Sequence, residues 1–176
     1  MRANLFAEAL GSSDAPPPAE GANFSAKDRS NLEIMRNVPV RQSGAVWQSW
    51  FSSFFAVSRA MIPAGGAPAL EQFLRSSRVA DALSGAPPEI RAKVAFLDLV
   101  ARRDLDGIRR DGPGLVAGPM QTLDPGFYAY VVVATATACL AGNPDASCRR
   151  VIALLGALPR GGPEIDVLRA HQSALP

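Results

Sequence analysis

Residues that bind metals or carry out acid–base catalysis are scarce in this chain, which has one histidine and two cysteines among its 176 residues. Two cysteines cannot complete a four-ligand zinc site on their own, so we expect no metal and no other cofactor. The single histidine, His171, has no nucleophile or orienting carboxylate beside it in the arrangement that a catalytic site requires. No glycine-rich phosphate loop precedes a helix. The sequence therefore contains no catalytic signature, and we expect a protein that is not an enzyme.

An excess of charge of one sign is also lacking. Lys and Arg number 18 against 16 Asp and Glu, which gives a formal net charge of +2. A nucleic-acid-binding protein usually concentrates positive charge far more than this, so nucleic acid is not an expected partner. Met1–Leu10 carries Arg2 and Glu8 and lacks the apolar stretch of a secretory signal. Two alternatives remain open: a genuine cytosolic start, or a leader or larger N-terminal part that has been removed.

A hydrophobic run long enough for a membrane is the third absence. The longest uncharged run extends from Pro125 to Pro144, but its apolar centre is shorter than a bilayer requires. We therefore do not expect a membrane span and interpret this stretch as a buried helix. The alternative is a strand over Tyr128–Thr137, because three consecutive valines and two threonines there are β-branched.

The two cysteines, Cys139 and Cys148, stand on either side of a turn, Ala141-Gly142-Asn143-Pro144-Asp145. We expect Gly142 in the left-handed position that ends one helix, Asn143 as the N-cap of the next and Pro144 in its first helical position. An antiparallel helix pair of this kind places the two thiols face to face. The pattern predicts a disulfide, with two small buried side chains in a reducing cytosol as the alternative.

The rest of the chain predicts an all-α fold of helical hairpins, packed as a short repeat or bundle. Residues 1–41 include a Pro16-Pro17-Pro18 run and a mixed stretch, 31–40, that we expect to be irregular. We interpret 1–41 as a flexible N-terminal arm or linker and 42–176 as the α-helical domain. In that domain, proline recurs at expected helix starts, namely Pro68, Pro88, Pro125, Pro144 and Pro163.

An aromatic stripe at helical spacing marks the first helix of this domain. Its members are Trp47, Trp50, Phe51, Phe54 and Phe55, with Val46 widening the same face. The stripe has two interpretations, a hydrophobic core or a surface that docks a partner, and the partner interpretation assigns binding to Trp47, Trp50 and Phe51. The serine-rich opposite face favours contact with another chain.

Two arginines, Arg102 and Arg109, are further candidates for partner binding. They belong to a set that is interleaved with aspartates, Arg102, Arg103, Arg109 and Arg110. Arginines in this pattern can form a carboxylate- or phosphate-binding groove through bidentate contacts. The alternative is a solvated surface on which the charges pair with one another.

Two resemblances to known families follow from local patterns. A shift of about 40 residues aligns Leu99 with Cys139, Ile108 with Cys148 and Arg109 with Arg149. Over about 87–158 this resembles tetratricopeptide-like helical-hairpin repeats, although their spacing is about 34 residues and their Trp-Leu-Gly-Tyr positions are absent here. No binding residue can be carried over. Residues 23–34 resemble the Asn-Thr-Asp-Asp-Arg-Pro-x-Leu-Glu stretch near the end of spermidine-synthase-like proteins, which implies an accessory tail without the nucleotide-binding core.

These observations lead to one expected function and two alternatives. We expect a non-enzymatic helical adaptor or accessory subunit that binds another protein. The alternatives are an accessory C-terminal domain of an aminopropyltransferase-like enzyme and a helical bundle that binds a lipid or small ligand. A disulfide favours an extracytoplasmic location, periplasmic or secreted; reduced cysteines would indicate the cytoplasm instead.

Overall fold

The computed structural model describes residues 25–40, 42–62, 66–118 and 123–158. Within these ranges the secondary structure is helical throughout, which confirms the all-α expectation. Eight α-helices are present in the described part, and their bounds are α1 Ala26–Arg36, α2 Gly44–Met61, α3 Ala67–Arg75, α4 Ser77–Ser84, α5 Pro88–Ala101, α6 Leu105–Val116, α7 Pro125–Leu140 and α8 Ala146–Leu154. A short 3-10 turn, Leu155–Ala157, follows α8. The chain divides into two compact units, Met1–Arg102 and Arg103–Pro176.

Helix α1 lies inside the segment that the sequence analysis assigned to a flexible arm, and the expectation of irregular structure over 31–40 is wrong for most of that stretch. Ser25 and Asp28 form a capping box, in which Ser25 Oγ accepts from the Asp28 amide at 3.1 Å and Asp28 Oδ2 accepts from the Ser25 amide at 3.0 Å. Leu32 and Met35 are buried, and α1 packs against α2. The cap and this packing outweigh the mixed composition. The remainder of the predicted arm, residues 1–24 and 41, lies outside the described residues.

The aromatic stripe of α2 forms the core of the first unit. Trp47, Trp50, Phe51 and Phe54 are each at most 1% exposed. The Trp47 and Trp50 rings meet edge to face at 5.5 Å between centroids, and the Trp50 ring stacks on Phe54 at 5.1 Å. Burial of this much aromatic surface stabilises the unit by several kcal/mol, at about 25 cal/mol per Å² of apolar area removed from water. The core interpretation of the stripe is therefore confirmed.

Helices α3, α4 and α5 complete the first unit. Proline occupies the first turn of α3 and the first position of α5, as predicted for Pro68 and Pro88. Ser76 adopts extended backbone angles and separates α3 from α4. Helix α5 packs against α2 and α3, with Lys93 Nζ 4.9 Å from the centroid of the Phe51 ring.

The second unit is built from α6, α7 and α8. Asp104 and Asp124 cap α6 and α7, accepting from the amides of Gly107 at 2.9 Å and Phe127 at 3.2 Å. The stretch for which a strand was the alternative forms helix α7. Eight of the side chains of α7 are buried: Phe127, Tyr128, Val131, Val132, Thr135, Ala136, Ala138 and Cys139. The backbone hydrogen bonds of residues 125–140 form within one helix, so the β-branched residues there did not impose a strand.

Helix α6 continues through Gly112-Pro113-Gly114 to Val116. Two local predictions about the turn after α7 are corrected. Helix α7 ends without a left-handed residue at Gly142, since the backbone there does not have a positive φ. Helix α8 is capped by Asp145, which accepts from the Cys148 amide at 2.8 Å, so Asn143 is not the N-cap and Pro144 precedes the helix. Pro163 lies outside the described residues.

Candidate protein-binding surface

Exposed apolar side chains gather at the α1–α2 end of the first unit. Of the large hydrophobic residues that are exposed in the described part of the chain, three lie here: Ile34 at 37%, Val40 at 61% and Val46 at 43% exposure. The other two, Leu105 and Leu123, belong to the second unit. Single exposed apolar residues are ordinary, so the position of these three relative to one another is what makes this end of the unit a candidate site.

A groove of about 460 Å³ lies between α1 and α2 beside these residues. Its lining is mainly apolar or uncharged, and Glu33 is the one charged residue among the described ones that line it: Glu33, Ile34, Asn37, Pro39, Ala45, Val46, Ser49 and Trp50. Val40 directly follows the lining residue Pro39. We call this feature the α1–α2 groove. It is open to solvent, so its apolar lining is accessible to another molecule.

Two hydrogen bonds fix the walls of the α1–α2 groove. The indole Nε1 of Trp50 donates to the carbonyl oxygen of Met35 at 2.9 Å, and this bond is buried. Ser53 Oγ donates to Asn31 Oδ1 at 3.3 Å. The first bond satisfies a carbonyl in the last turn of α1, which has no partner within its own helix. Both bonds join α1 to α2, so the groove is a preformed feature of the fold.

The three aromatic candidates for partner binding are not surface residues. Trp47, Trp50 and Phe51 are 1%, 1% and 0% exposed, so their side chains cannot form a docking face while the unit is folded. Trp50 contributes to the groove only as part of its lining. Val46, which we expected to widen the buried stripe, is instead exposed, because it lies about 100° around the helix from Trp47. This angular offset can be read from the sequence, and it could have identified Val46 as an exposed residue.

The arginine candidates are paired with aspartates. Arg102 Nη2 lies 2.8 Å from Asp98 Oδ2, and Arg109 Nη2 lies 3.5 Å from Asp106 Oδ1. Arg110 forms two hydrogen bonds to Asp111, at 2.8 and 3.2 Å. The interpretation as a surface of mutually paired charges is supported for all three. Arg102 and Arg109 fall in different units.

Arg109 has a packing role in the second unit. A Cβ placed on Gly142 would lie 2.7 Å from Nη1 of Arg109, so the guanidinium occupies the space that a side chain at position 142 would fill. Gly142 follows the C-terminal end of α7, where the helix dipole favours a positive charge. Arg109 therefore connects α6 to the turn between α7 and α8.

The cysteine pair lies in the core of the second unit. The two sulfur atoms are at disulfide-bonding distance and the Cα atoms are 5.6 Å apart, within the range for a disulfide. Cys139 is 0% and Cys148 3% exposed, among apolar side chains of α7 and α8. The predicted face-to-face placement is confirmed, although the turn reaches it with different capping residues.

A second groove of about 350 Å³ bears on the alternative of a lipid or small-ligand carrier. Leu74, Leu83 and Val94 contribute its apolar lining, and Arg75 and Arg91 also line it. The groove is open to solvent. Proteins that carry such ligands bury most of the ligand surface in a concave pocket, and an open groove of this kind does not provide that burial.

The site and fold define a small all-α protein with an accessible apolar groove. Comparisons with family models, with curated proteins and with solved structures find no match for the chain. Among the described helices, none combines the length and the hydropathy needed to cross a bilayer. Within the same ranges, no cluster of three or more His, Cys, Asp or Glu residues has a metal-binding arrangement.

Proposed function

We propose that this chain is a non-enzymatic helical adaptor or accessory subunit that binds another protein through the α1–α2 groove. The observation that carries the proposal is the group of exposed apolar residues, Ile34, Val40 and Val46, on a groove whose walls are fixed by buried contacts. An apolar groove between two helices suits the apolar face of a partner helix, which presents side chains at i, i+3 and i+4.

The cysteine pair supports a location for this function. A disulfide between Cys139 and Cys148 persists in an oxidising compartment and is rare in the cytosol. We therefore propose an extracytoplasmic site of action, periplasmic or secreted, for the adaptor. The partner would be a protein of the same compartment.

The proposal is tested by charge substitutions in the groove. Val46→Glu and Ile34→Glu each place a carboxylate among apolar lining, and Ala60→Glu adds the same charge at an exposed position farther along α2. Each variant is expressed in the native host, crosslinked and purified, and its co-purifying proteins are quantified by mass spectrometry. Circular dichroism confirms that all variants remain helical.

The expected result is that a protein captured by the unmodified chain and by Ala60→Glu is reduced at least tenfold with both groove variants. A loss of about 1.4 kcal/mol in binding free energy corresponds to such a factor. Equal capture by all four proteins, or a chain that remains monomeric and without partner, would contradict the proposal.

A further inference from the structure

We propose that the groove of about 350 Å³ between α3, α4 and α5 is a second protein-binding surface, which accepts an acidic segment of a partner. The segment places a carboxylate on Arg91 and a large apolar side chain against the apolar lining beside it. We call this feature the α3–α5 groove. Its described lining residues differ from those of the α1–α2 groove, so the inference goes beyond the proposed function and does not depend on it.

The apolar part of the lining combines buried and accessible residues. Val94 is 4% exposed, Leu74 and Leu83 are half-buried, and Ala95 is exposed. A partner side chain that covers these residues removes apolar surface from water on both molecules. Because the groove is open to solvent, it suits a side chain that is carried by a protein segment better than a free ligand, which needs enclosure.

Arg91 is the group that binds the carboxylate, and the fold already positions it. Its Nη1 donates to the carbonyl oxygen of Ser84 at 3.0 Å, and this carbonyl belongs to the last turn of α4, where it has no partner within the helix. A guanidinium has five N–H donors, and Nε and Nη2 of Arg91 form no hydrogen bond to the described residues. These two atoms form an edge that can bind a carboxylate through two parallel hydrogen bonds.

The charges that line the groove leave Arg91 as the available cation. Asp98 is the acidic residue of the described lining, and it pairs with Arg102 at 2.8 Å. It also lies seven residues from Arg91 on α5, about 10 Å along the helix axis. Arg75 lines the groove as well, and its pairing with Glu71 at 3.2 Å leaves its side chain 72% exposed.

Two further carboxylates, Asp81 and Glu89, are exposed on α4 and α5. Neither belongs to the described lining, and neither lies within ion-pair distance of Arg91. The groove is therefore not strongly basic as a whole. Its complementarity to an acidic segment is local, at the open edge of one guanidinium beside apolar side chains, so a single substitution there tests it.

The first experiment selects the chemistry of the partner directly. A displayed library of random peptides is selected on the unmodified chain, Arg91→Gln, Ala95→Glu and Arg78→Gln. Arg91→Gln removes the carboxylate-binding edge, whereas Ala95→Glu adds a carboxylate at an exposed lining position and leaves the bond to Ser84 intact. Arg78→Gln is the matched control, because Arg78 is exposed on α4 and is not in the described lining. Circular dichroism checks that all variants remain helical.

We expect peptides with Asp or Glu at helical spacing from a large apolar residue to be enriched on the unmodified chain and on Arg78→Gln. The enrichment should be about tenfold lower on Arg91→Gln and Ala95→Glu, which is the effect of losing one charge-assisted hydrogen bond. Equal enrichment on all four chains, a preference for basic peptides or the absence of any selected peptide would overturn the inference.

Vesicles of anionic phospholipid distinguish a membrane from a protein partner. Sedimentation of the unmodified chain with these vesicles, lost in Arg91→Gln, would show that the groove recognises a membrane surface and would overturn the inference. We expect no difference in sedimentation between the two chains.

The second experiment assigns the contact to Arg91. The dissociation constant of one selected acidic peptide is measured by fluorescence anisotropy, together with that of the same peptide in which the carboxylate is replaced by an amide. We expect the amide and Arg91→Gln each to weaken binding about tenfold, and the two changes together to weaken it no more than either alone, since they remove the same contact. Losses that multiply would place the carboxylate elsewhere and overturn the inference.

Failure here is distinguishable from failure of the proposed function. Val46→Glu, which alters the α1–α2 groove, should bind the selected peptide as the unmodified chain does. If Val46→Glu loses the peptide and Arg91→Gln keeps it, the acidic segment binds the α1–α2 groove, which overturns this inference and leaves the proposed function standing. If Arg91→Gln loses the peptide while Val46→Glu captures the same proteins as the unmodified chain, the α3–α5 groove is a binding surface and the α1–α2 groove is not.

Discussion

At the scale of single residues, backbone conformation shows where this chain departs from the ideal rules of helix termination. Arg103 follows the C-cap of α5 and has a φ of 55°, the one positive φ of a non-glycine residue in the described ranges. Glycine is favoured in this position because it has no Cβ to crowd the preceding carbonyl. Arg103 therefore carries a local conformational cost that its sequence neighbours do not.

We expect Arg103→Gly to raise the free energy of unfolding by about 0.5–1 kcal/mol, the relief of left-handed strain less the added entropy of glycine in the unfolded chain. The measurement is denaturant unfolding followed by far-UV circular dichroism. Arg103→Ala is the control, because it removes the same side chain and keeps the Cβ. An equal gain in both variants would attribute the effect to the lost charge and contradict the backbone explanation.

The Arg110–Asp111 pair gives a second prediction at residue scale. The two hydrogen bonds from Arg110, with its positive charge, hold the pKa of the Asp111 carboxyl below its ordinary value, and the same pair raises the pKa of Arg110. A lowered carboxyl pKa means that the pair stabilises the folded chain above the ordinary value of 3.8, and that this contribution is lost as the pH falls through the lowered value.

NMR titration of the Asp111 carboxyl should give a midpoint below that of an ordinary aspartate, and Arg110→Gln should return it to the ordinary range. Both side chains are exposed, at 70% and 45%, so solvent screens the pair and the effect on overall stability is expected to be small. An unchanged Asp111 midpoint in Arg110→Gln would show that the pair does not form in solution.

At the scale of helices, the close approach of α6 to α7 depends on one glycine. A Cβ on Gly112 would overlap Thr135 Oγ1 and lie 2.8 Å from Thr135 Cγ2, whereas Gly114, two residues later in the same helix, has no atom within 4 Å of such a Cβ. The two glycines share a helix and flank the same proline but have different surroundings. Substitution of each glycine by alanine therefore distinguishes the effect of packing from that of intrinsic helix propensity.

We expect Gly112→Ala to destabilise the chain by about 1–3 kcal/mol through overpacking against Thr135. Gly114→Ala should be neutral or stabilising by up to about 1 kcal/mol, because alanine favours the helix. Thermal unfolding of both variants measures the difference. A similar loss in both would indicate that the glycines are needed for backbone conformation around Pro113.

Some elements of this fold could be predicted from local sequence rules, and others depend on contacts between helices. The aspartate caps of α6 and α7, the buried stripe of α2 and the pairing of Cys139 with Cys148 follow from local rules, and they could be predicted. Helix α1 was not predicted, since Leu32 and Met35 form only a short apolar pattern and are stabilised by packing on α2, although Ser25 and Asp28 have the spacing of a capping box. The α1–α2 groove was missed for the same reason, because it exists only where α1 meets α2.

At the scale of the whole molecule, the cysteine pair links stability to the compartment in which the protein acts. Closure of a loop with a sequence separation of 9 removes conformations from the unfolded chain, which is worth about 2–3 kcal/mol. The two cysteines are buried in the core of the second unit. The disulfide bond and the burial of Cys139 and Cys148 therefore both stabilise the turn between α7 and α8. Reduction breaks the bond but keeps both side chains, so comparison of the oxidised and reduced protein separates the two contributions.

We expect protein isolated from its native host without reductant to show no thiol that reacts with a thiol reagent after denaturation, and two after reduction. Reduction should lower the free energy of unfolding by about 2–3 kcal/mol. The Cys139→Ala/Cys148→Ala variant is the control, since reductant should not affect it. Two reactive thiols in the unreduced, denatured protein would place the chain in a reducing compartment and contradict the extracytoplasmic proposal. That result would leave the α1–α2 groove as a candidate binding site, because the groove is built from the first unit and contains neither cysteine.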